Sequence, residues 1–102
     1  MKKLALVLMI SMLGLASCTL PPPPVEDYVL ARAAIDAAKA VDAGRYSAGY
    51  FHKAEVSYRK AQAFYEERDY DQAHEAFLLS RDYAERAENS ARLIRFKNGD
   101  VL

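Results

Sequence analysis

Ala73, Phe77, Ser80, Ala84, Ala87, Ala91 and Ile94 recur at steps of three and four residues. Only an α-helix of 3.6 residues per turn brings such positions onto one stripe; a strand would need alternation in twos. The stripe is built mainly of the smallest side chains, so a partner helix can approach closely, and a few rings must fill what alanine leaves open. Asp71, Glu75, Asp82, Glu85 and Asn89 take the opposite, solvated face. From Val25 onward there is no proline and alanine is abundant, so the rest of the domain reads as helix too.

The spacing predicts three helices. The first is expected over about Glu26–Ala43, with Pro24 in its first turn, Glu26 and Asp27 complementing the helix dipole, and Gly44 as a left-handed stop. Tyr28, Ala31, Ile35 and Ala38 form one apolar stripe of it, and Leu30, Ala34, Ala37 and Val41 widen that stripe. The second is expected from Ala48 to about Arg68 behind a Ser47 cap. Phe51, Ala54, Tyr58, Ala61 and Tyr65, with Tyr50, Ser57 and Phe64 beside them, give it two apolar stripes and hence the middle layer. Asp69 with Gln72 reads as a capping box for the third, which Asn98-Gly99 should stop. Short turns make neighbouring helices antiparallel. The expected fold is all-α, an antiparallel three-helix bundle over residues 25–98, with a tail at 99–102.

Ahead of that domain lies a different composition. Lys2 and Lys3 precede an apolar run, Leu4 to Leu15, broken by Ser11 and Gly14 and followed by Ala16-Ser17-Cys18. A basic start, an apolar stretch and small residues before a cut site describe a secretory signal peptide. The run is shorter than the about 20 residues a membrane span needs. Cys18 is the single cysteine, and Leu15-Ala16-Ser17-Cys18 resembles the lipobox of bacterial lipoproteins. That resemblance implies cleavage of residues 1–17 and acylation of Cys18, and two or more acyl chains make a stable membrane anchor. Thr19 stands where Asp usually marks inner-membrane retention, which implies an outer-membrane lipoprotein facing the periplasm. Residues 18–24 would be the lipidated cysteine and a spacer whose four prolines favour an extended rod.

Composition narrows the function. With Lys2 and Lys3 set aside, 12 basic residues face 14 acidic ones, a formal charge of −2. No basic excess remains for nucleic acid. A lone cysteine permits no intramolecular disulfide. His52 and His74 fall on different helices without a second ligand one turn away, so they read as exposed helix histidines and no metal or other cofactor is expected. Ser47, Ser57, Ser80 and Ser90 lack a nucleophile-elbow setting. Glu66, Glu67, Asp69 and Asp71 read as a helix end and a cap rather than a calcium loop. The seven tyrosines either fill an alanine-rich core with their hydroxyls at its edge or form a protein-binding surface. Leu78, Leu93 and Phe96 sit off the seam of the third helix and are the candidate partner surface.

Two resemblances add to this reading. Gly44-Arg45-Tyr46 and Arg68-Asp69-Tyr70 are similar turns 24 residues apart. The segment from Ala61 to Phe77 resembles the turn of a tetratricopeptide repeat, matching at Asp69, Tyr70, Ala73 and Ala76, with Arg68 where glycine is usual. Over residues 31–91 the chain is similar to small Ala-rich bacterial lipoproteins defined only as a domain of unknown function. Ala34, Ala38, Gly44, Tyr46, Ala54, Ala61, Asp69, Tyr70, Ala73, Ala84 and Ala87 stand at the corresponding places. The likeness implies tetratricopeptide-like hairpins and an envelope role without a reaction. The expected function is a non-enzymatic interaction or structural module near the outer membrane or cell wall. Its expected partners are the membrane, through the lipid, and an envelope protein, with peptidoglycan association open; a pilotin-like assembly factor is the alternative.

Overall fold

The computed structural model describes residues 1–6 and 21–99, and within them the protein is all-α. Residues 2–6 are helical. Cys18, most of the expected signal peptide and the tail at 100–102 lie outside the described residues. The domain is made of α1 (Val25–Ala40), α2 (Ala43–Tyr46), α3 (Ala48–Glu66) and α4 (Tyr70–Lys97). With 28 residues, α4 is about 42 Å long at the helical rise.

The long helices run close to their expected bounds; the first turn does not. Helix α1 stops at Ala40, three residues early, and the left-handed residue is Asp42 (φ 59°, ψ 41°) rather than Gly44. Aspartate is among the few side chains that tolerate this region. Gly44 lies inside the one-turn helix α2, which the spacing rules did not separate. It is exposed, and a Cβ there would meet the Phe51 ring at 3.4 Å, an ordinary contact, so the position does not demand glycine. Ser47 does precede α3 but makes no side-chain cap hydrogen bond.

The second turn is a Schellman closure. The Asp69 N–H donates to the Phe64 carbonyl (2.9 Å) and the Arg68 N–H to the Tyr65 carbonyl (3.1 Å). Arg68 takes the left-handed conformation (φ 61°) that glycine usually supplies there. Asp69 caps α4 by accepting from the Gln72 N–H (3.4 Å). Because the Asp69 N–H is already used, the Gln72 side-chain amide donates instead to the Asp69 carboxylate (2.7 Å).

Successive long helices reverse direction. Tyr70 at the start of α4 meets Tyr65 at the end of α3, and Ser80 Oγ donates to the Ala54 carbonyl (2.8 Å). Along α1 and α4 the order is shared: Asp27 pairs with His74, Tyr28 meets Phe77, and Ala38 packs with Ala87 and Ala91. Helix α4 is the layer shared by α1, α2 and α3, a place the sequence had suggested for α3. The reason lies in side-chain size. Ala73, Ser80, Ala84, Ala87 and Ala91 of α4 are fully buried and let both neighbours come close. Where α1 meets α3, the rings of Tyr28, Tyr58 and Tyr65 intervene and hold the backbones apart.

The core has two continuous parts. One gathers Ala31, Ala34, Ile35, Ala54, Tyr58, Ala61, Ala73, Phe77 and Ala84; the other gathers Ala38, Val41, Ala43, Ala87 and Ala91. Phe77 fills the centre of the first, with Tyr28 (5.0 Å between centroids) and Tyr58 (5.8 Å) against it edge to face. Leu30 and Ala37 of α1 are half-buried.

Candidate interaction surface

Helix α4 turns its seam inward and leaves Leu78, Leu93 and Phe96 outside, 42%, 54% and 79% exposed. The three do not form one patch. Leu93 and Phe96 are neighbours one turn apart, whereas Leu78 lies 15 residues earlier, about 22 Å along the axis. Between them on that side are Asp82, Glu85 and Asn89, all exposed. Leu79, 47% exposed, adjoins Leu78 and escaped the sequence reading. The same spacing rule exposes it, because it falls between the seam positions Phe77 and Ser80.

The tyrosines mostly fill gaps. Tyr58 is buried; Tyr28, Tyr46, Tyr65, Tyr70 and Tyr83 are half-buried; Tyr50 alone is exposed. Gln62 Nε2 donates to Tyr28 Oη across α1 and α3 (3.3 Å). The Tyr58 hydroxyl, and after it the Gln62 amide, lowers the pKa of Tyr28 below the usual phenol value. Burial, followed by the adjoining Tyr28 hydroxyl, pushes Tyr58 up. Arg32 lies 5.9 Å from the Tyr58 ring centre.

The two ends of the domain differ in charge. At the end next to the proline spacer stand Glu26, Asp27, Glu66, Glu67, Asp69 and Asp71, with Arg68 among them. At the other end Arg45 and Arg95 lie 5.2 and 5.7 Å from the Tyr46 ring centre, with Lys97 nearby in sequence. Along the flank Arg32, Arg81, Arg86 and Arg92 are matched one turn away by Asp36, Glu85, Asp82 and Glu88, exposed pairs that neutralise one another. His52 is exposed as expected; His74 is also exposed but pairs with Asp27, joining the start of α1 to α4. A sequence shows no such pairing, because the partners are 47 residues apart.

A cleft of about 300 Å³ opens at the acidic end, lined by Val25, Tyr28, Gln62, Tyr65 and Glu66. On the other side of Val25 a second hollow of about 310 Å³ lies between Pro21–Pro24 and Glu26, Asp27, Tyr70, Asp71 and His74. Among the described residues no three His, Cys, Asp or Glu side chains converge as a metal site. No described helix is long and apolar enough to cross a membrane.

Residues 26–97 match the model of the domain of unknown function DUF4398, and the chain belongs to that family. No curated protein and no solved structure matches it.

Proposed function

We propose that the protein is a lipid-anchored cell-envelope component whose helical domain is a non-enzymatic interaction or structural module near the outer membrane or cell wall. The observation that carries this reading is Leu15-Ala16-Ser17-Cys18 behind a basic and apolar leader, placed just ahead of the proline spacer. Acylated Cys18 holds the chain on the outer membrane, and the domain faces the periplasm as an antiparallel three-helix bundle of tetratricopeptide-like hairpins. Because α4 is shared by the other helices, the body is braced from within and its outer faces are left to partners. Leu78, Leu93 and Phe96 are the candidate contacts, and their exposure supports that choice.

Fatty-acid labelling in a Gram-negative host tests the anchor. The wild type should take up label and fractionate with membranes, and Cys18→Ala, which also loses the processing signal, should take up no label. An unlabelled wild type, or one released without detergent, refutes it. Changing Leu78, Leu93 and Phe96 together to Ser tests the module. Helicity and anchoring should persist while recovery of a co-purifying envelope protein falls sharply, as when apolar anchors are truncated at an interface. Undiminished recovery places the contact elsewhere. Loss of a single outer-membrane complex on deletion would instead favour a pilotin-like role.

A further inference from the structure

We propose that the cleft between α1 and α3 at the acidic end binds an ammonium group carried on a short aliphatic chain. Its walls combine what such a group needs. Tyr28 and Tyr65, packed together with centroids 5.7 Å apart, form its aromatic walls, and an ammonium seated over either ring face is attracted there. Glu66 supplies a carboxylate at the rim, and Val25 supplies an apolar surface for the methylenes. The Gln62 amide donates to Tyr28 Oη, which leaves its carbonyl oxygen as an acceptor. Among the described residues no lysine or arginine lines the cleft to occupy it from within.

The surroundings point the same way. The adjoining hollow contributes Glu26, Asp27 and Asp71, and its one potential cation, His74, is already set against Asp27. Arg32 and Arg68 lie near the cleft without lining it, and the carboxylates of its lining and of the adjoining hollow favour a cationic ligand there. At about 300 Å³ it admits a small head and a few methylenes, not a folded partner. This site stands independently of whether Cys18 carries lipid.

The test is a titration of the full ¹⁵N-labelled chain in an uncharged detergent, followed by amide shifts. Butylammonium chloride should move Val25, Tyr28, Gln62, Tyr65 and Glu66 saturably, whereas butanol and butyrate should not. Choline chloride is the second arm. Choline as the tighter ligand assigns the site to quaternary ammonium heads, and butylammonium as the tighter ligand assigns it to primary amines. Glu66→Lys, which sets the protein's own ammonium at the rim, should weaken binding about tenfold. Glu66→Gln serves if that variant misfolds, and Glu85→Lys on the far flank controls for net charge. The proposal is overturned by no saturable shift, by equal shifts from butyrate or butanol, or by wild-type affinity in both Glu66 variants.

Discussion

Arg68 is the residue whose replacement should improve this fold. It sits in the left-handed region at φ 61°, between two helices that are packed against each other, so it cannot relax without opening the turn. For a residue with a Cβ that conformation costs about 1–2 kcal/mol. Glycine avoids the cost but gives the unfolded chain more freedom, worth about 0.5–1 kcal/mol. Arg68→Gly should therefore stabilise the domain by about 0.5–1 kcal/mol. For a domain of this size that corresponds to roughly 2–8 °C in Tm. The side chain itself is exposed and contributes no described hydrogen bond or ion pair, so little is lost with it. Thermal melts of the full chain followed by circular dichroism provide the measurement. Arg68→Ala is the control: it removes the same guanidinium, keeps the strained backbone and should melt with the wild type. A Tm for Arg68→Gly at or below that of Arg68→Ala would refute the strain argument.

Ala84→Glu places an unpaired carboxylate in the fully buried seam and should cost several kcal/mol, comparable to the stability of a small domain, while Asp82→Ala removes only an exposed ion pair and should shift Tm little. Equal melting of the two variants would refute the seam. Phe77→Ala empties the centre of the aromatic cluster and should cost about 3–5 kcal/mol, read by urea unfolding. In an alkaline titration followed by phenolate absorbance, Tyr28 should ionise below the usual phenol range and Tyr58 above it. Tyr28 thus favours the folded state more as pH climbs from its lowered pKa to the ordinary value, and that gain is lost as pH falls; Tyr58 opposes folding above the ordinary value. Tyr28→Phe should remove the early phase, and an unchanged early phase would show that another tyrosine is the acidic one.

The register of α4 was legible because it is local: every position from Ala73 to Ala91 in its three-four series is buried, and Asp69 caps it as expected. Ile94, the last of the series, is half-buried. What failed was decided by contact between elements. Two apolar stripes on α3 suggested a middle layer, yet the closeness of helices depends on side-chain size on both partners, and the rings between α1 and α3 gave the central place to α4. Gly44 read as a helix stop because glycine favours left-handed backbone; Asp42 reaches that conformation first, and Gly44 falls inside α2. Leu78, Leu93 and Phe96 are outside as read, but spacing alone joined residues that the length of α4 separates. The cleft was not legible, since Tyr28 and Tyr65 come together only after α1 folds back on α3.

The alanine seam has a thermal consequence. Among the described residues ten of the fourteen buried apolar ones are alanines, each hiding far less hydrocarbon than leucine would. The heat-capacity change of unfolding follows the apolar area exposed, at about 0.45 cal/K/mol per Å². A body held by closely approaching backbones rather than by bulky hydrocarbon therefore has a shallow stability curve. Its folding free energy should curve less with temperature than that of a leucine-cored domain of the same size.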